Sequence, residues 1–187
     1  MVNEPSYLPQ EYGWIEVICG GMFSGKTEEL IRRARRAQIA GQQVLVIKPS
    51  VDNRYSSFEV VSHNETTIPS LVVGSVDEII EKSQNFRVIC IDEAQFFDNK
   101  LLRIVNELAN YNKRVIIAGL DMDYEGNPFE PIPQLMSIAE DVTKVRAICI
   151  QCGDLANYSY RIVDEDEQIL LGEKNEYEAR CRNCFSK

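Results

Sequence analysis

From Trp14 to Ile150 the chain alternates short apolar, β-branched runs with stretches whose apolar residues recur every three or four positions. The runs Trp14–Cys19, Val44–Lys48, Arg87–Asp92, Arg114–Gly119 and Lys144–Ile150 are nearly continuous in hydrophobicity. That is the pattern of parallel strands covered on both faces. Between them Thr27–Ala40 and Asp98–Tyr111 read as helices, and a shorter one begins at Ser75, where Ser75 and Glu78 have capping-box spacing. The alternation predicts an α/β fold, a doubly wound parallel sheet flanked by helices and joined by right-handed crossovers. Two stretches break it. Ser50–Ser70 is polar, with Asp52, Asn53, Arg54 and Tyr55, and predicts a mobile loop beside the site. After Ile150 the alternation stops and a small element follows, so the expected division is 1–148 and 149–187.

The chain has 187 residues, enough for one ordinary domain with a small appendage. Apolar residues at 44% and charged residues at 26% are the balance of a soluble globular protein. No apolar run approaches the roughly 20 residues that span a bilayer. Residues 1–10 carry Glu4 and two prolines and lack a basic-apolar signal pattern, so a cytoplasmic address is the default. A net charge of −9 and a pI near 4.8 argue against a nucleic-acid partner. The basic cluster Arg32, Arg33, Arg35 and Arg36 reads as a solvated helix face. Any phosphate chemistry should therefore be confined to one site.

Gly20-Gly21-Met22-Phe23-Ser24-Gly25-Lys26-Thr27 supplies that site. It fits G-x-x-x-x-G-K-[ST], follows an apolar strand and opens a helix. Its glycines let the backbone wrap a β-phosphate with N–H groups, and the helix N-terminus adds its positive dipole end. Lys26 is placed to reach the β- and γ-phosphates of ATP, and the Thr27 hydroxyl to coordinate Mg²⁺. The matching acid is Asp92, at the end of the run Val88–Ile91, a second candidate for Mg²⁺. Glu93 follows where the chain leaves the sheet, and a carboxylate there can accept the proton of an attacking hydroxyl. That hydroxyl belongs to a substrate in a kinase and to water in an ATPase. A guanine-specific N-K-x-D signature is missing, because Asn112-Lys113 is followed by Arg114 and Val115.

Six cysteines remain to be read. Cys19 and Cys90 fall in apolar runs and are expected to be packed core thiols. Cys149-x-x-Cys152 and Cys181-x-x-Cys184 have the spacing of a Cys₄ zinc site, with disulfides as the alternative. Four protein ligands leave no open position, so the Zn²⁺ is expected to be structural. The intervening residues Asp164, Glu165, Asp166 and Glu167 would repel a nucleic-acid phosphate.

Together these residues resemble the zinc-containing, tetrameric thymidine kinases, type II. The resemblance runs from Gly13 to Cys184 and rests on Gly20–Thr27, Lys48-Pro49 with Asp52 and Arg54, and the stretch from Asp92 to Phe97. Gly119-Leu120-Asp121, Asn127-Pro128-Phe129, and both cysteine pairs with Tyr177 complete it. It implies a P-loop NTPase-type parallel sheet with a small zinc-binding lasso domain, and transfer of the ATP γ-phosphate to the 5′-hydroxyl of thymidine. It implies that Glu93 is the base and that Gln95 belongs to the nucleotide side. Met22, Phe96, Leu120, Tyr124 and Phe129 would line the base and sugar pocket. Tyr177 would pack on the thymine, with Ser159, Leu170 and Leu171 contacting the base and Arg161 nearby. A homotetramer and feedback inhibition by dTTP are further implications. Gly21 stands where many members have proline, Tyr124 where others have phenylalanine, and Glu130 replaces a common glycine. His63 reads as incidental. The competing readings are a regulatory ATPase acting through its zinc module and a zinc-ribbon nucleic-acid binder.

Overall fold

The computed structural model describes residues 11–50, 59–61, 67–163 and 176–186. In chain order the first half holds β1 (Trp14–Cys19), α1 (Lys26–Ile39), β2 (Val44–Pro49), β3 (Glu59–Val61), β4 (Thr67–Pro69), β5 (Leu71–Val73) and α2 (Asp77–Ser83). Then come β6 (Val88–Ile91), a 3₁₀ turn (Ala94–Phe96), α3 (Lys100–Asn110), β7 (Arg114–Gly119), α4 (Ile132–Ile138) and β8 (Asp141–Lys144). Six strands form one sheet in the order β5-β2-β6-β7-β1-β8, and every pairing in it is parallel.

Side chains alternate across this sheet, and both faces are buried, which accounts for the unbroken apolar runs. Ile18, Val46, Val88, Cys90, Ile116 and Ala118 face one side, where α1 covers them with Leu30, Ile31, Ala34 and Ala37. Ile15, Val17, Ile47, Ile89, Ile91, Val115 and Ile117 face the other. There α2, α3 and α4 contribute Ile79, Leu101, Ile104, Leu108, Ile132 and Leu135. Burial of this extent is the dominant stabilising term of such a domain.

A buried carboxylate interrupts the apolar pattern of β1. Glu16, in the middle of β1, is fully buried, and it accepts from Trp14 Nε1 at 2.7 Å and from Arg33 Nη1 at 2.6 Å. Arg114 adds Nε at 2.5 Å and Nη2 at 3.1 Å. Arg33 also reaches Glu29, Asp141 and Thr143, at 2.8, 3.1 and 2.8 Å. The solvated-face reading of the α1 arginines therefore holds for Arg32, Arg35 and Arg36 but not for Arg33, which is 1% exposed. A periodicity argument cannot see a partner that arrives from a distant strand.

Other expectations need correction as well. The run Lys144–Ile150 is not one strand: Lys144 ends β8 beside β1, and Ala147–Ile148 joins a different sheet. Within Ser50–Ser70, predicted as a loop, β3 and β4 pair antiparallel, while 51–58 and 62–66 lie outside the described residues. Asp52, Arg54 and His63 are among these undescribed positions. At Ser75 the cap is half made: the Glu78 carboxylate accepts from the Ser75 N–H at 3.1 Å, and α2 starts at Asp77. α4 escaped the pattern because prolines surround its start, where a missing N–H costs nothing.

Beyond β8 the chain makes two small antiparallel pairs. β9 (Ala147–Ile148) runs against β10 (Leu155–Ala156), and β11 (Tyr158–Arg161) against β12 (Tyr177–Arg180). A short α5 (Arg182–Phe185) follows. The buried residues at the centre of this module are Ala147, Cys149, Ala156, Ala179 and Cys181. Leu170, Leu171 and the acid run 164–167 lie outside the described residues. Among the described residues no helix is long and apolar enough to cross a membrane.

Candidate active site and metal centre

The loop Gly20–Thr27 leaves the C-terminal end of β1 and enters α1. Its path needs unusual backbone. Gly20 has φ 145° and any Cβ there would meet the Val145 carbonyl oxygen at 2.2 Å, while Gly25 has φ 85° and caps α1. Glu28 and Glu29 in the first turn favour the helix dipole. Lys26 is buried and its Nζ donates to the Gly21 carbonyl at 2.8 Å, as does Ser24 Oγ at 2.7 Å.

β6 brings the acids to the same edge. Asp92 is buried, and the Thr27 hydroxyl lies 3.2 Å from its Oδ2 and 3.4 Å from its Oδ1. The two residues expected at Mg²⁺ are thus adjacent, although far apart in sequence. Glu93 sits at φ 49°, ψ 42°, a left-handed conformation that a glutamate adopts only at a cost of roughly 1 kcal/mol or more. Gln95 Nε2 donates to Glu93 Oε2 at 2.5 Å, and Gln95 Oε1 accepts from the Leu120 N–H at 3.0 Å. One buried amide thereby ties the candidate base to the loop after β7.

Phe96 follows Gln95, and Leu120, Tyr124 and Phe129 occupy the turn beyond β7; all four are half-buried. Asp123 shapes that turn, its Oδ1 accepting from the N–H groups of Glu125 and Asn127 at 3.0 and 2.9 Å. Arg161 joins this turn to the C-terminal module. Its guanidinium lies 3.6 Å from the Tyr124 ring centroid, and its Nη2 donates to the Tyr177 hydroxyl at 2.9 Å. Tyr177 is buried. The Met22 N–H donates to Ser159 Oγ at 2.9 Å, a second tie between module and body. Sequence reading missed the pair Lys144–Asp121, 2.6 Å apart. Nothing local in the sequence announces a contact between the ends of separate strands. The Asn112-Lys113 dipeptide precedes β7, at the end of the sheet away from Gly20–Thr27, where Lys113 Nζ donates to the carbonyls of Ser83, Gln84 and Phe86 at 2.9, 3.2 and 2.7 Å.

The cysteines separate into two kinds. Cys19 and Cys90 are core thiols, pushed up by burial to about 11 and about 12. Cys149, Cys152, Cys181 and Cys184 place their sulfurs within 4.8 Å of one another. Cys152 and Cys181 are 3.6 Å apart, too far for a disulfide and close to the roughly 3.8 Å edge of a ZnS₄ tetrahedron. All four are free thiols. The Cys181 backbone, with lesser help from Cys152 and Gln151, brings Cys149 down to about 6, whereas the Cys152 and Cys181 sulfurs push Cys184 up to about 12. Four sulfurs this close ionise together only around a cation, so the donor set fits Zn²⁺. The knuckle is held by Cys149 N–H donating to Asp154 O at 2.7 Å and by Gly153, at φ 79°, donating to Cys149 O at 2.9 Å.

Fold and site define a class: a P-loop α/β nucleotide-binding protein with a C-terminal four-cysteine module, suited to a metal, packed against its phosphate loop. The thymidine kinase family model matches residues 13–185. Thymidine kinase from Rhodothermus sp. (strain ITI 518) is 57% identical over 173 residues, 92% of this chain and 81% of that protein. The Bacteroides thetaiotaomicron thymidine kinase is 56% identical over 173 residues, 92% of this chain and 87% of its own length. The chain belongs to the thymidine kinase family. A solved structure of AMPPCP-bound DnaA from Aquifex aeolicus overlaps 74% of this chain and 42% of its own at 19% identity and a TM-score of 0.45, too slight a likeness to carry an argument.

Proposed function

We propose that this thymidine kinase transfers the γ-phosphate of ATP to the 5′-hydroxyl of thymidine, with Glu93 as the base. The observation that carries this reading is the placement of Glu93 beside Asp92 at the end of β6, locked by Gln95 and turned toward the loop after β7. The N–H groups of Gly20–Thr27 and Lys26 bind and orient the donor phosphates; Thr27 and Asp92 would hold Mg²⁺, which supplies charge neutralisation as the phosphoryl group moves. Glu93 accepts the proton of the acceptor hydroxyl, and positioning provides most of the rate.

Met22, Phe96, Leu120, Tyr124 and Phe129 offer half-buried apolar surface for a flat pyrimidine, with Tyr177 and Ser159 from the module. Leu170 and Leu171 join them in this proposal. The four cysteines would hold a structural Zn²⁺ outside the chemistry. Under the same reading the protein works in the cytoplasm, where reduced thiols stay available to metal, as a homotetramer inhibited by dTTP. The expected division at 148/149 falls just inside the module under this reading, since the last sheet strand ends at Lys144 and β9, Ala147–Ile148, already pairs with β10.

The test is a transfer assay with γ-labelled ATP against thymidine, deoxyuridine, deoxycytidine and deoxyadenosine. Label on the thymidine 5′-oxygen is the expected result. Release of labelled inorganic phosphate at a rate indifferent to thymidine would instead favour a regulatory ATPase.

A further inference from the structure

The peptide unit joining Gly21 to Met22 is gripped from both ends. Its carbonyl oxygen, on Gly21, accepts from Lys26 Nζ at 2.8 Å and Ser24 Oγ at 2.7 Å. Its N–H, on Met22, donates to Ser159 Oγ at 2.9 Å. The first two partners belong to the phosphate-binding loop. The third belongs to β11 of the C-terminal module and is itself buried, at 4% exposure.

Two neighbours reinforce this grip. A Cβ on Gly21 would meet the Asn157 carbonyl oxygen at 3.0 Å and Ser159 Oγ at 3.3 Å, so the loop backbone lies close against the chain entering β11. Phe23 adopts φ 62°, a conformation unfavourable for an aromatic residue, and packs against the cluster of Ala147, Cys149, Ala156, Ala179 and Cys181. A strained φ persists only where surroundings over-determine it, and here part of the surroundings is the cysteine module. The module in turn holds Ser159 firmly. Ser159 pairs with Ala179 across β11 and β12, and the Ala179 carbonyl accepts from the Ile150 N–H, between Cys149 and Cys152, at 3.0 Å.

We propose that Ser159 is a positioning residue for the donor-phosphate loop: its hydroxyl, anchored through the four-cysteine module, sets the orientation of the Gly21–Met22 peptide and thereby aims Lys26. The peptide is planar, so fixing its N–H fixes its carbonyl, and the carbonyl is what Lys26 rests on. The module then serves the ATP side of the reaction as well as the acceptor side, on the reading that Gly20–Thr27 binds ATP. A hydroxyl has two acceptor lone pairs and one proton, so this duty is compatible with Ser159 also facing a nucleoside base.

Calorimetric titration of ADP with Mg²⁺, and separately of thymidine, into wild type, Ser159→Ala and Ser159→Thr tests the assignment. Loss of one such hydrogen bond should weaken ADP about three- to tenfold in Ser159→Ala. Ser159→Thr, which keeps the hydroxyl, should restore ADP affinity. Unchanged ADP affinity in Ser159→Ala, or a loss confined to thymidine, overturns the assignment. Failure of wild type to bind ADP overturns the phosphate-site reading and this inference with it. Amide exchange at Met22 in the wild-type chain gives a measure that needs no variant. Its N–H should exchange slowly with zinc bound and faster after chelation, and equal rates in both states contradict the link to the module.

Discussion

The sheet body and the C-terminal module are built on opposite economies. The body buries branched aliphatic side chains on both faces of six parallel strands, and nothing in that packing needs a ligand. The module's buried cluster is three alanines and two cysteines, with Tyr158 and Tyr177 the large side chains buried beside it. Burying so few large apolar side chains offsets only part of the conformational entropy of ordering four short strands and a one-turn helix. Its thiols gather within 4.8 Å instead, so the cation they would share is the core. On the proposed reading one protein joins a self-sufficient scaffold to a cover that a metal would hold, and the cover reaches the candidate site through Ser159, Arg161 and Tyr177.

If the body alone carries the chemistry, the largest effect should come from a body residue that touches no part of the module's core. Glu93→Gln is expected to lower kcat by roughly 10²–10⁴-fold, with thymidine and ADP still bound and zinc content unchanged. Steady-state kinetics with calorimetry on the same preparation checks this. Next is the buried charge that the body does tolerate. Glu16→Gln leaves Arg33 and Arg114 facing a weaker partner in a dry site. Breaking a buried pair typically costs about 3–5 kcal/mol. Denaturant unfolding should show the loss in the body, while metal stoichiometry stays at about one zinc per chain.

A smaller effect is expected with pH. Burial pushes Glu29 up, but hydrogen bonds from Arg32 and Arg33 outweigh it and hold the carboxyl below its usual value of 4.5. A folded value below the unfolded one means the contribution is full above the unfolded value and disappears as pH falls through the folded one. Glu29→Gln should lower body stability modestly near neutrality and converge on wild type as pH falls below about 4.5, which flattens the acid limb. Thermal melts across that range, at fixed salt, check it.

The two regions also differed in how far sequence reasoning could see. In the body, strand faces buried on both sides produce long apolar runs, so β1, β2, β6 and β7 were legible within a residue or so. The glycine pattern before Lys26 identified the phosphate loop for a similar reason: backbone wrapping requires those residues there. Where the chain changes partner without changing composition, pattern fails, as at Lys144–Ile150. The module was legible only through its cysteine spacing, since strands of two to four residues carry no period. Contacts across regions were invisible. Neither Ser159 nor Arg161 has a local signature, and the burial of Arg33 depends on Glu16, Asp141 and Thr143 from other strands. The expectation of a structural zinc beside the acceptor pocket did not foresee that Phe23 of the phosphate loop packs on the cysteine cluster.

Trp14 is the single tryptophan, buried in β1 at 5% exposure, so its emission reports on the body alone. Following that emission and thymidine binding together while a chelator withdraws zinc separates the two regions in one experiment. Zinc loss with Trp14 emission and the body's melting transition retained, and thymidine binding abolished, is the expected result. Collapse of the Trp14 signal in step with zinc, or full thymidine binding by a metal-free chain, would contradict the division between a self-sufficient scaffold and a metal-held cover.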